Sequence, residues 1–321
     1  MTMTDAAPSR RIDWIDIARG VALIAMAIYH FSWDLEFFGY LDPGTAGSGP
    51  LKWFARSIAS SFLILVGISL VLAHVNGIRW NGYGRRLAMI VAAALAITVA
   101  TRWFTPDAFV FFGILHQIAF ASVLGLAFLR LPAPALLAIA ALWLSVPFWG
   151  KSTLFDAPWL TWLGLSPFPP RSNDFVPVFP WFAAVLAGMG AGRLMIGTNA
   201  TEWLRAHPPG RNMVSSALRF LGRHSLATYL LHQPILIAAV YLFSLVSPPD
   251  QGAHFVRSCV ATCSAEYEAE RCEAFCGCAV SKLQENGLFE RVFKGELSQN
   301  NDPRVAEVTD ACSIEAFSDD N

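Results

Sequence analysis

The run Tyr29-His30-Phe31-Ser32-Trp33-Asp34 sets a histidine and an aspartate four residues apart inside a long apolar stretch. On a helix these two positions share one side, one turn from each other. A carboxylate placed there can fix the imidazole tautomer and stabilise its charged form, as a general base requires. Ionisable groups are costly in a bilayer and tend to mark a substrate or proton pathway. The plainer alternative is a helix-end Asp34 that reaches the outer interface beside Glu36. Two more histidines fall in apolar stretches, His116 and His232. His232 precedes Gln233 and Pro234, and the proline cannot donate to the Leu230 carbonyl, so this turn offers an unpaired acceptor. A single membrane histidine also serves simply as an interhelical hydrogen-bonding group, and for His116 both readings stay open.

Seven apolar stretches of helical length must position these groups, at roughly 20–41, 53–73, 87–104, 108–129, 131–149, 175–196 and 226–247. The chain has 321 residues, of which 55% are hydrophobic and 15% charged. Its mean hydropathy is +0.45. That profile excludes an ordinary soluble globule and predicts an all-α fold, a polytopic helix bundle of about seven transmembrane helices. At 1.5 Å per residue, His30, His116 and His232 lie about 16, 18 and 10 Å from the cytoplasmic face. Arg19, His30 and Asp34 share a helix face.

Residues 1–249 carry 17 Lys and Arg against 10 Asp and Glu, a net of +7; residues 250–321 carry 6 against 14, a net of −8. All six cysteines lie in the second part. The division is therefore a membrane domain, 1–249, and an acidic tail, 250–321. With the N-terminus cytoplasmic, eleven cations, Arg10 and Arg11 among them, fall inside and five outside, which favours that orientation. The acids Asp5, Asp13 and Asp16 beside Arg10 and Arg11 argue against a cleavable signal peptide. Seven spans then put the tail outside, where disulfides are permitted.

The tail contains two pairs of cysteines at helical i,i+4 spacing, Cys259 with Cys263 and Cys272 with Cys276, followed by Cys278 and Cys312. Two short helices stapled Cys259 to Cys276 and Cys263 to Cys272 would form a hairpin, one of 15 connectivities. Zinc competes less well, because the two-residue spacing is missing and His254 is the one histidine near. No metal is expected. Residues 296–321 are polar and expected to be loosely ordered. Gly150-Lys151-Ser152 lacks the upstream glycine of a phosphate loop, and Gly188-Met189-Gly190-Ala191-Gly192 reads as a small-residue face for helix packing. A Schiff-base light receptor is excluded, since the membrane domain has only Lys52 and Lys151.

The opening Ile12-Asp13-Trp14-Ile15-Asp16-Ile17-Ala18-Arg19-Gly20, with Tyr29-His30-Phe31 and Asp34 after it, resembles a known family. Phe112-Gly113-Ile114-Leu115-His116-Gln117, Phe179-Pro180-Trp181-Phe182, and Leu221-Gly222-Arg223-His224-Ser225-Leu226 running on to His232-Gln233-Pro234 continue the likeness in order. Over about 12–245 the chain is similar to the catalytic domain family of heparan-alpha-glucosaminide N-acetyltransferase, in the wider transmembrane acyltransferase superfamily. The lysosomal relative is read as carrying an asparagine where this chain has His30, and the tail has no counterpart in the family.

The resemblance implies acyl transfer from cytoplasmic acetyl-CoA to a hydroxyl or amine, on a glycan or other small acceptor, with a membrane histidine as base. The catalytic candidates are His30, Asp34, His116 and His232. Arg19, Arg85, Arg86 and Arg223 are the candidates for the CoA phosphates, with Arg79 and Arg211 among the inner-loop cations that could attract them, although the positive-inside rule alone would also place them there. Acetyl-CoA is the expected co-substrate, in a bacterial-type inner (plasma) membrane. Membrane lipid is an expected partner, nucleic acid is not, and a homo-oligomer stays open. The alternative function is a proton-coupled transporter or a non-catalytic membrane protein.

Overall fold

The computed structural model describes residues 11–318. Arg10, counted above among the inner cations, lies outside the described residues, as does the end of the tail at 319–321. The described chain is all-helical, with no strands. Its α-helices are α1 (Asp13–Phe37), α2 (Gly49–Ala73), α3 (Trp80–Phe104), α4 (Ile114–Phe128), α5 (Ala133–Trp149), α6 (Val178–Gly197), α7 (Ala200–Ala206), α8 (Met213–Arg223), α9 (Ser225–Val246), α10 (Gln251–Cys263), α11 (Ala269–Glu285), α12 (Phe289–Phe293) and α13 (Pro303–Phe317).

Five of these, α1, α2, α3, α6 and α9, are long and apolar enough to cross a membrane. Helices α4 and α5 are apolar but shorter, at 15 and 17 residues, about 22 and 26 Å of rise against a hydrocarbon core of about 30 Å. Together they occupy the seven stretches read from the sequence, with shifted ends. Helix α1 starts at Asp13, seven residues before the apolar run, because Asp13 and Asp16 suit the positive end of the helix dipole. Helix α3 starts at Trp80 and carries Arg85 and Arg86 within it, since a helix does not stop where the apolar run does. Helix α4 begins late, at Ile114, because Pro106 opens a separate 3-10 turn and Gly113 is extended.

The chain forms two compact units. The first runs through Met26 and continues over Phe54–His232; the second joins Ala27–Trp53 to the described residues from Gln233 onward. In the first unit Leu63, Leu136, Phe182, Val185, Leu186 and Met189 are wholly buried. The small-residue stripe does pack helices. A Cβ on Gly188 would collide with the Ile64 carbonyl, and one on Gly67 with the Val185 carbonyl, so α2 and α6 touch backbone to backbone.

The second unit holds the four tail helices together with the C-terminal part of α1 and the loop after it. All six cysteines are paired: Cys259 to Cys276, Cys263 to Cys272 and Cys278 to Cys312. The first two staple α10 to α11 as the i,i+4 spacing suggested; the third ties α11 to α13. The tail's own core is Val280, Leu283, Leu288, Phe289, Leu297, Val305 and Val308. The expectation of loose order after 296 is overturned by α13, whose Val305, Val308 and Cys312 form a buried stripe at helical spacing. Helix α10 also grips the loop after α1. Arg257 pairs with Asp42 at 2.6 Å, and the His254 ring covers Gly39, whose φ of +86° leaves no comfortable place for a side chain.

Candidate active site

Two acids in the first turn of α1 anchor one end of the first unit. Arg219 and Arg223, one turn apart on α8, both reach Asp13, at 3.1 and 2.9 Å. Asp16 is 1% exposed and holds Arg19 at 3.1 Å, with Arg223 at 3.5 Å and Arg11 at 3.7 Å. Glycines allow this closeness, since a Cβ on Gly222 would strike the Asp16 carbonyl and one on Gly20 the Leu218 carbonyl. Arg19 also donates to the Ser69 hydroxyl on α2. The buried Asp16 and the partly exposed Asp13 thus aim several guanidinium groups at one place, in a geometry that costs little further ordering when an anion binds.

That place is a cavity of about 410 Å³, with Arg11, Arg19, Arg86 and Arg223 in its walls. Its remaining surface is largely apolar, from Leu23, Phe62, Val66, Ile90, Leu115, Ile118 and Tyr229. Arg11, Arg86 and Arg223 share these walls with Arg19, so four positive groups are gathered in one cavity. Among the described residues Arg86 has no hydrogen-bond or ion-pair partner. A cluster of like charges with one member unneutralised is stabilised by an anion, and the apolar walls suit a flexible chain attached to it. Of the six cations singled out from sequence, Arg19, Arg86 and Arg223 meet here; Arg79, Arg85 and Arg211 do not line this cavity.

The histidines are placed differently from one another. His116 is fully engaged. Its Nδ1 accepts from the Gly113 amide at 3.2 Å, and its Nε2 lies 3.2 Å from the Thr98 hydroxyl, which donates to the Val110 carbonyl at 2.7 Å. The network closes the 105–113 loop onto α3 and α4. His232 sits on α9, one turn beyond the cavity residue Tyr229, and its Nδ1–H donates to the Tyr229 carbonyl at 2.6 Å. The tautomer so fixed leaves Nε2 as the basic nitrogen.

In the second unit, His30 is half-buried and Asp34 is 0% exposed. Asp34 is held inside the protein. Its Oδ1 accepts from Gln233 Nε2 at 2.6 Å, and its Oδ2 makes no hydrogen bond. Glu36 is engaged elsewhere. Its carboxylate accepts from the amides of Gly44 and Ala46, at 2.7 and 2.6 Å, and shapes the loop after α1.

Asp174, in the loop before α6, was not among the sequence candidates. It caps α4 by accepting from the Ile114 amide at 2.8 Å. Burial pushes the Asp174 carboxyl up to about 6, while the Ile114 amide pulls it down.

The family model for the catalytic domain of heparan-alpha-glucosaminide N-acetyltransferase matches residues 11–234. The chain belongs to this family. Family and geometry agree in extent, because the match covers α1 to the first turns of α9 and so contains every residue discussed as a site. The family's activity is membrane acetyl transfer. Compared with curated proteins and with solved structures, the chain shows no match.

Proposed function

We propose that this protein transfers an acetyl group from acetyl-CoA, taken up on the cytoplasmic side, to a hydroxyl or amine of a glycan-type acceptor, in a bacterial-type plasma membrane. The observation that carries the reading is the unneutralised Arg86 beside Arg19 and Arg223 in a cavity with apolar walls. Phosphates supply the missing charge, and a pantetheine-like arm fits the rest. His30 is the general base: it takes the acceptor's proton as the acceptor oxygen or nitrogen attacks the thioester carbonyl, and the C–S bond then breaks to release the CoA thiolate. The uncommitted Oδ2 of Asp34, one turn away, offsets the charge that His30 gains. His232 has a fixed tautomer and is assigned the second proton-transfer position. His116 holds the cavity wall in place. Eleven cations on the N-terminal side against five support the orientation, which puts the disulfide-bonded tail outside the cell.

Binding of acetyl-CoA to the purified protein should weaken as salt rises, because the attraction is between charges at an accessible mouth. Arg86→Gln should lower the affinity roughly 10- to 100-fold, the range for losing a hydrogen bond to a charged group. Titration calorimetry at two ionic strengths measures both effects. Salt-independent binding that Arg86→Gln leaves unchanged would remove the cavity from the account.

A further inference from the structure

A second cavity, of about 540 Å³, adjoins the first and shares Val66, Arg86 and Ile90 with it. Its other walls come from the end of α2, the start of α3 and Ser122 of α4. Two cations line it, Arg79 and the shared Arg86, and among the described residues neither side chain has an ion-pair or hydrogen-bond partner. Tyr83, also in its wall, has a buried hydroxyl that makes no hydrogen bond. A buried donor of this kind costs free energy unless something pairs with it. His74 gives its Nδ1–H to the Leu70 carbonyl at 2.7 Å, which leaves Nε2 as an acceptor in the same cavity. The rings of His74 and Trp80 both meet Tyr83 edge-on, at 5.7 and 6.1 Å.

We propose that this second cavity seats a phosphorylated adenosine, with Arg79 and the Tyr83 hydroxyl on its 3′-phosphate and the aromatic group beside its base. Two features favour a nucleotide over a bare anion. One is the pair of rings in its wall, His74 and Tyr83, which can pack against a flat heterocycle. The other is the shared Arg86, at which a ligand in this cavity can continue into the first. Cationic groups at both ends of such a ligand divide its phosphates between them: Arg19 and Arg223 take the diphosphate side, and Arg79 takes the terminal monoester. This assignment rests on the acetyl-CoA reading and deepens it, because it makes the 3′-phosphate, rather than the thioester end, the group that selects the donor.

The test compares CoA with 3′-dephospho-CoA as ligands of the full-length protein in detergent, by titration calorimetry. CoA should bind roughly 10- to 100-fold more tightly. Arg79→Gln should erase that preference while leaving 3′-dephospho-CoA at its original affinity, and Tyr83→Phe should reduce it in part. Equal binding of the two ligands to the unaltered protein, or a loss in Arg79→Gln that falls equally on both, would overturn the nucleotide site and leave the acetyl-CoA reading standing. Failure of both ligands to bind would overturn the two together. Repeating the titration with phosphatidylglycerol in the micelles separates the phosphate sources: a preference that the lipid abolishes would assign the cavity to a headgroup and overturn the proposal, and one that survives supports it.

Discussion

Replacing His30 with alanine should lower acetyl transfer roughly 10²–10⁴-fold while acetyl-CoA still binds, since general-base help is typically worth that much. The expectation follows from where His30 stands. It is half-buried on α1, one turn before a carboxylate that is wholly removed from solvent and has one oxygen uncommitted. Such a carboxylate stabilises an imidazolium and does little for neutral imidazole, so it helps most when the proton has moved. Asp34→Asn should therefore cost less than His30→Ala. Its effect includes the loss of an acceptor for Gln233, so Gln233→Ala serves as the comparison that isolates that part. His116→Ala should behave differently again, lowering the amount of folded protein, because both of its ring nitrogens hold the 105–113 loop. Steady-state turnover and acetyl-CoA affinity, measured on the same preparations, separate these cases. Near-normal turnover in well-folded His30→Ala would end the assignment.

The second large effect concerns the tail. Its three disulfides span 17, 9 and 34 residues, and closing a loop of about 15 residues contributes roughly 3 kcal/mol. The acidic tail has a small apolar core, so losses on that scale are decisive. Changing Cys278 and Cys312 together to serine should release α13, whose remaining buried anchors are Val305 and Val308, and expose the chain after Leu297 to proteases. Changing Cys259, Cys263, Cys272 and Cys276 together should unpin α10 from α11 and loosen the grip on Asp42. Limited proteolysis, with fragments identified by mass, reads both. Alkylation of the unaltered protein, isolated without reductant, should modify none of the six cysteines. Six reactive thiols would contradict the disulfides and with them the extracytoplasmic position of the tail.

Much of this was open to a reader of the sequence, for a physical reason in each case. The seven apolar stretches were visible because a bilayer imposes length and hydropathy on a span, and five of the helices they form are long and apolar enough to cross, with α4 and α5 shorter. The first two disulfides followed from i,i+4 pairs, since a helix turns its own period into a shared face. The third did not, because Cys278 and Cys312 are joined by a fold and not by a period. Composition misled at α13: its polar surface outnumbers the three buried residues that hold it.

Asp13 and Asp16 were noted as acids near the start and as part of the opening that resembles the family, with no partner assigned to either. Their partners on α8 lie about 200 residues further on, a distance over which no local pattern speaks. Asp174 was missed for the same reason, because a cap contributed from 60 residues away leaves no mark in the helix it caps. The arginines could be counted, but the positive-inside rule predicts inner arginines whether or not they bind anything. Only the geometry separated Arg86, which lines the cavity, from Arg85 beside it, which does not.

The most direct measurement gives the purified, reconstituted protein acetyl-CoA labelled in its acetyl group, with candidate glycan acceptors, and follows both free CoA thiol and labelled product. Saturable release of CoA with the label appearing on an acceptor hydroxyl or amine, lost in His30→Ala, is the expected result. No binding of acetyl-CoA and no release of thiol, together with proton-coupled solute uptake into the same vesicles, would contradict it and assign the buried histidines to transport.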